Sequence, residues 1–387
     1  MHKKQMKILV VGPYPPPYSG PETSIKLLME SPLKEMADLR LLNINYRKDM
    51  ASKGRIDLHA LSAFFLIQLR LVARCIGFRP DIVYYYVTAT KNGWLLKDIW
   101  IIMTAALFRR KIVIHMRAGH FKFVYDAMPG WTRRVIRFAC RRCSLALVQG
   151  EALRDQFEGL VDSGRIRVIN NMIDVQKFNN PDAGNYDPQR FFFMGHLSCA
   201  KGYCDLLAVM PRILKEFPEC KFVFAGYKLE KERNVFREQT TGREIVMEAP
   251  EDAFRTHIAG KFEANYEYLG PIGEEDKIRE LKRCTAFVLP SYSEGFSMAV
   301  LEALSLGKPV VCTPVGALGE VVRAGENGLV VPAGDRDALF EALHRILVDS
   351  KLRNDMIARN HQYVTDHYSQ QVVARKLHAE FATLVNS

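Results

Sequence analysis

A chain of 387 residues, 48% hydrophobic and 25% charged, is longer than one typical domain and suits two globular ones, which excludes a disordered or fibrous molecule. Its formal net charge of +11 is unevenly placed: residues 1–182 hold 29 Lys/Arg against 15 Asp/Glu, whereas residues 183–387 hold 25 against 28. The first half is therefore expected to meet something anionic, such as a phospholipid surface, a pyrophosphate-linked lipid or an acidic glycan; nucleic acid is set aside because no recognition motif or aromatic platform accompanies the charge.

The chain opens on an apolar run, 7–12, too close behind Lys3, Lys4 and Lys7 for a signal peptide. The longest strongly apolar piece, 99–108, is about half the length a membrane span needs. A cytoplasmic protein is expected, at most peripheral on the inner face of the cytoplasmic membrane. Eight scattered cysteines, with the pair Cys140/Cys143 lacking a second pair for zinc, predict free thiols.

Short apolar runs alternate with helical patterns throughout. Strands are predicted at 7–12, 40–44, 81–86, 111–115, 145–149 and 167–169, then at 190–195, 221–226, 266–269, 286–290, 309–312 and 329–332. This alternation implies an α/β chain with two parallel sheets wound by helices. Between the two sets, NNPDAGNYDP at 179–188 clusters turn residues without apolar period, which divides the chain into domains 1–180 and 181–368. The last pattern, within 369–387, is a helix with no strand after it, free to cross back to the first domain.

One helical stretch, WTRRVIRFACRR at 131–142, sets five arginines around Trp131, Val135, Ile136, Phe138 and Ala139. Such a helix can lie on a membrane or pack its apolar stripe on a sheet; packing with a basic outer face is the expectation here.

Ligands of open α/β sheets sit beyond the carboxyl ends of the strands, so the loops there deserve closest reading. After the first strand comes GPYPPPYSGPE at 12–22, a stiff proline loop ending at Gly20 ahead of a helix predicted to start near Thr23, whose N-terminus suits an anion. KIVIHMRAGHF at 111–121 places His115, Arg117 and His120 near a strand end. His115 reads equally as a group orienting an acceptor hydroxyl or as a core residue. GHLSCAKG at 195–202 follows the second domain's first strand; Lys201 can reach a pyrophosphate as a point charge, and Gly195 and Gly202 permit a tight path.

The most telling segment is PSYSEGFSMAVLEALSLGKPVV at 290–311, where Glu294 and Glu302 lie seven residues apart across a strand-to-helix turn. The first helical N–H groups, around Phe296, Ser297 and Met298, favour a phosphate beyond the strand. Glu302, about a turn further in, can accept hydrogen bonds from two ribose hydroxyls, while Glu294 can hold hydroxyls of a sugar, and Gly295 lets the backbone approach closely.

These motifs together resemble the retaining glycosyltransferases of family 4. PPPYSGPE (15–22) is similar to the family's proline loop with GGxE, PDIVYYY (80–86) to its second-strand signature and VINNMIDVQKF (168–178) to its interdomain VIPNGVDxxxF. FMGHLSCAKG (193–202) resembles GRLxxxKG and EGFSMAVLE (294–302) the paired-glutamate motif, followed by GKPVV and ENGLVVPAGD (326–335). The resemblance implies a GT-B fold of two facing Rossmann-like domains, with the C-terminal helix returning to the first. It further implies a retaining, metal-independent hexosyl transfer from a nucleotide-sugar, with no cofactor, to a lipid-linked or cell-envelope glycan acceptor. By it, Glu294 holds the donor sugar, Glu302 the ribose, and Lys201 the diphosphate. His196 stands where the family has arginine, Ser19 and Met172 replace glycines, and Asn170 replaces the linker proline. The family's first-domain histidine maps onto His115 or Arg117. A sugar-nucleotide epimerase of the same fold and a nucleotide-sugar-binding pseudoenzyme are the alternatives, the latter kept open by His196.

Overall fold

The computed structural model describes residues 5–16, 20–45, 58–180, 184–228, 235–239 and 242–386. The chain forms two compact units, one of residues 1–173 with 368–387 and one of residues 174–367. Ser19 lies outside the described residues.

In the first unit six strands, β1 (Lys7–Gly12), β2 (Asp38–Asn43), β3 (Ile82–Val87), β4 (Lys111–Met116), β5 (Leu145–Val148) and β6 (Ile166–Val168), form one parallel sheet in the order β2-β1-β3-β4-β5-β6. The central strands are apolar at successive positions because both faces are covered, and IVYYYV of β3 is buried throughout. Right-handed crossovers from β2 to β5 bring the helices Leu58–Gly77, Ile99–Leu107 and Gly130–Cys140 to one face. The helices Gly20–Glu30, Leu33–Met36 and Gln370–Asn386 take the other, sharing a core of Ile8, Val10, Ile25, Tyr84, Leu377 and Phe381. The last helix is tied in by backbone bonds at Ile173, whose N–H donates to Tyr368 O (2.9 Å) and whose carbonyl accepts from Gln370 N (3.1 Å).

The second unit carries β7 (Arg190–Met194), β8 (Lys221–Ala225), β9 (Val235–Arg237), β10 (Glu244–Val246), β11 (Tyr266–Gly270), β12 (Ala286–Leu289), β13 (Val310–Cys312) and β14 (Gly328–Val330). Six of these form a parallel sheet, β11-β8-β7-β12-β13-β14, and β9 pairs antiparallel with β10 in a small ladder the sequence did not suggest. Together the two sheets make the Rossmann-like two-domain α/β architecture known as GT-B. Strand order reverses between β7 and β12, the switch point at which such sheets receive ligands. Among the described residues no helix is long and apolar enough to cross a membrane.

Three expectations need correction. The boundary falls at 173/174 rather than 180/181, because residues 174–180 pack on the second unit: Phe178 is buried, its carbonyl accepts from Ser305 Oγ (3.0 Å), and Asn180 Nδ2 donates to Leu306 O (3.4 Å). Cys199 and Cys204 are not free thiols but a disulfide; a short 3-10 turn at Cys199–Lys201 and the left-handed Gly202 bring their Cα atoms to 5.1 Å. The other six cysteines are free and buried. Finally, the basic helix Gly130–Cys140 does pack with Arg134 and Arg137 outward, but of its expected apolar set only Ile136 and Ala139 turn inward. It buries Thr132, Ile136, Ala139 and Cys140, and leaves Trp131, Val135 and Phe138 in solvent.

Candidate active site

In the second unit, the loops after β7 and β12 are locked to one another at the switch point. Tyr292 N–H donates to Ala200 O (3.0 Å), and Gly202, at φ +76°, lies so close to Pro290 that a Cβ would stand 2.1 Å from the Pro290 carbonyl oxygen. Only glycine fits there. Gly195 has no comparable crowding of its own; its carbonyl is instead the atom that Gly226 approaches. The disulfide closes over Lys201 and Gly202.

This docking brings Lys201 Nζ to 2.7 Å from Glu294 Oε1, although 93 residues separate them. Ser291 Oγ donates to the same carboxylate oxygen (2.8 Å), and Glu294 N–H donates to Gln239 Oε1 (2.9 Å), a residue beside the β9–β10 ladder. Tyr292 is anchored by its hydroxyl to Asp205 (2.7 Å), which also receives Arg336 Nε (2.8 Å). The carboxylate of Glu294 is thus held by Lys201 and Ser291 and its backbone by Gln239, while its lysine partner stays partly accessible.

The helix after β12 begins at Met298, with Ser297 as its cap, Oγ accepting from Val300 N (3.4 Å). Its first-turn N–H groups have no partner within the helix, and they follow directly on the Gly295 and Phe296 turn. Gly316, at φ +56°, supports that turn from behind: a Cβ there would meet Glu294 O at 2.2 Å, and Ala317 N–H donates to Gly295 O (2.9 Å). Glu302 is 5% exposed and receives Lys277 Nζ at 2.6 Å. Burial pushes its carboxyl above the usual range and the lysine pulls against that. Lys277, Ser291, Gln239 and Gly316 were not singled out from the sequence; the glycine in TPVGALGE was the one available signal.

His196 follows Gly195 on the same loop, exposed at the surface, with Tyr227 beside it at a ring separation of 6.4 Å. Partial desolvation, and then the charge of Lys201, hold its imidazole below the usual histidine range, so it is neutral at neutral pH. A cavity of about 310 Å³ lies alongside, lined by Leu197, Tyr203, Lys228, Pro250 and Phe254.

In the first unit, the candidates divide. His115 is internal to β4 and fully buried, its Nδ1 2.6 Å from Tyr84 Oη and its ring against Tyr84 and Tyr86. Burial and the neighbouring Arg117 keep it neutral. It is enclosed in the core rather than at the strand end, because β4 runs one residue further, to Met116. Arg117 is the first residue past the strand; its guanidinium lies over the Tyr86 ring at 4.9 Å and donates to Asn171 Oδ1, which Gln149 Nε2 also reaches (2.9 Å). His120 is exposed at the start of the next helix, and Gly20 begins the helix after β1 with Glu22 buried in its first turn. Among the described residues no cluster of three or more His, Cys, Asp or Glu is arranged to hold a metal ion.

Residues 175–363, nearly the whole second unit, match the family model of glycosyl transferases group 1. That segment is similar to group 1 glycosyltransferase domains. Over 308 residues the chain is 25% identical to a glycogen synthase of Mycobacterium tuberculosis, covering 77% of this chain and 67% of that one. Over 202 residues it is 26% identical to the phosphatidyl-myo-inositol mannosyltransferase of Mycolicibacterium smegmatis, covering 52% of this chain and 44% of that one. Among solved structures, Anabaena HepE in complex with UDP superposes at a TM-score of 0.72 with 17% identity, over 98% of this chain and 100% of that one, a likeness of fold. The matched segment contains Lys201, Ser291, Glu294 and Glu302.

Proposed function

We propose that the chain is a glycosyltransferase that moves a hexosyl group from a nucleotide-sugar, held by the group 1 domain, to a hydroxyl of a lipid-linked or cell-envelope glycan precursor. The observation that carries this is the Lys201–Ser291–Glu294 cluster assembled where β7 and β12 part. Without a donor, Lys201 and Glu294 neutralise each other. A diphosphate competes for the ammonium and frees the carboxylate to accept sugar hydroxyls, so donor binding itself prepares the sugar-holding group. The first turn of the helix Met298–Ser305 adds a dipole suited to phosphate. Glu302, with Lys277, is assigned to the ribose.

Transfer is assigned a retained anomeric configuration, the departing phosphate taking the acceptor's proton while Lys201 and a protonated His196 stabilise its charge. Arg117, not His115, is the first-domain group assigned to this reaction. The resemblance of the motifs supports these assignments, and no metal is invoked. The protein is assigned to the cytoplasmic side of the envelope.

Calorimetric titration with UDP, GDP, ADP and their sugar conjugates tests the donor site. UDP comes first because solved structures of Anabaena HepE hold UDP and UDP-glucose. Heat with one nucleotide that is lost in Glu302→Ala supports the assignment, and no heat with any removes it. A second reading rests on His196, which leaves the site one permanent charge short of the family pattern: a nucleotide-sugar-binding pseudoenzyme. Donor binding without transfer or hydrolysis across a panel of polyprenyl-linked and glycan acceptors selects that reading. Release of an altered sugar nucleotide without acceptor selects the epimerase.

A further inference from the structure

The first unit carries an apolar and basic surface that no step of the transfer uses. The helices 58–77, 91–107 and 130–140 pack side by side over one face of its sheet. Of the fourteen exposed large hydrophobic side chains among the described residues, ten lie on these three helices. Leu69 is 67% exposed, Trp100 54%, Leu107 79%, Trp131 56% and Phe138 50%. A soluble surface seldom gathers so many large apolar groups without covering them.

The charge on the same helices is of one sign. Arg70, Arg74, Arg134, Arg137 and Arg141 are exposed on them or at their ends. Their one carboxylate, Asp98, is buried, receiving Tyr85 Oη (2.5 Å), Thr88 Oγ1 (2.6 Å) and Thr88 N (2.8 Å). Trp100 donates its indole N–H to Leu95 O (3.0 Å), so the apolar body of the ring is what faces outward. We propose that the outer face of these three helices docks on an anionic lipid bilayer, the aromatic and leucine side chains entering the headgroup boundary and the arginines pairing with lipid phosphates. Charge complementarity selects the occupant: exposed tryptophan and arginine on amphipathic helices, with no competing carboxylate, fit the membrane interface. The N-termini of these helices lie at the carboxyl edge of the sheet, the edge that carries Arg117, and Trp131 is in the first turn of its helix.

The proposal adds to the transferase reading without resting on it, because lipid binding is measured with no donor or acceptor. The full chain is sedimented with phosphatidylcholine vesicles, with and without about 30 mol% phosphatidylglycerol, at low and high salt. Binding to the anionic vesicles is expected, weakening at least about tenfold in high salt. Brominated lipid is expected to quench Trp100 and Trp131 while Trp94, which is buried, is spared. The double variants Trp131→Ser/Phe138→Ser and Arg134→Glu/Arg137→Glu change exposed side chains and are each expected to lower binding about tenfold or more with nucleotide-induced thermal stabilisation unchanged. Failure to bind anionic vesicles at low salt overturns the proposal. So does binding that both variants retain, or a lipid-free dimer that the Trp131→Ser/Phe138→Ser variant dissolves while vesicles are ignored.

Discussion

Lys201 and Glu294 are each other's partner, and the proposed role of the lysine separates binding from turnover. In the proposed reaction Lys201 acts on the charge of the leaving diphosphate, so for Lys201→Ala turnover is expected to fall about 100-fold or more while donor affinity changes only a few-fold. Equal losses in both, read from single-turnover kinetics beside calorimetry, point to ground-state binding alone. His196 gives a pH signature. Its donor-free value is depressed, so it is neutral at pH 7, and a bound diphosphate favours the protonated ring. Binding then takes up a proton, and affinity for a nucleotide-sugar, whose diphosphate does not titrate near neutrality, is expected to tighten from pH 8 to pH 6. His196→Asn is expected to flatten that slope and His196→Arg to tighten binding at pH 8; a slope that survives in both assigns the proton elsewhere. His115 acts on stability instead. Its folded value lies below the unfolded one, so its contribution is present above about pH 6.5 and lost as pH falls.

At the scale of elements, the strands were readable because strands covered on both faces are continuous apolar runs, and all twelve predicted strands lie within two residues of those in the two large sheets. The β9–β10 ladder was not, since VFR and EIV are short and carry no apolar run. The basic helix misled for a physical reason: Trp131, Val135 and Phe138 form one stripe at helical spacing, Thr132, Ile136, Ala139 and Cys140 another beside it, and periodicity alone does not choose which faces the sheet. Glu294 and Glu302 were legible from motif spacing, but their partners Lys201 and Lys277 meet them only through the fold. Gly202 was legible as a glycine, and the structure supplies its reason. Gly202→Ala combines a left-handed backbone with contact on Pro290, and is expected to cost about 2 kcal/mol or more, lowering Tm by roughly 5 °C or more. An unchanged melting curve contradicts the tight docking of the two loops.

At the scale of the molecule, the charge division sharpens when the chain is cut where the structure cuts it. The first unit, with the C-terminal helix, holds 30 Lys/Arg and 14 Asp/Glu; the second holds 24 and 29. The basic unit is the one with the exposed apolar helices, and the acidic unit is the one that holds the Lys201–Glu294 pair. The C-terminal helix belongs to the first unit's core, burying Val373, Ala374, Leu377 and Phe381 to 1% exposure or less. Burial of such side chains contributes roughly 1.5–3 kcal/mol for each large one, comparable with a domain's whole margin of stability. Deleting residues 368–387 is therefore expected to unfold the first unit, seen as dye binding to exposed apolar surface, and a soluble, dye-silent truncation contradicts that role. The central claim, a nucleotide-sugar site at the switch point of the second unit, is tested most directly by calorimetry of the full chain with UDP-glucose and its GDP and ADP counterparts, beside Glu302→Ala. Saturable binding of one of them, weakened about tenfold or more in the variant, is the predicted result; no binding of any, or equal binding by both proteins, contradicts it.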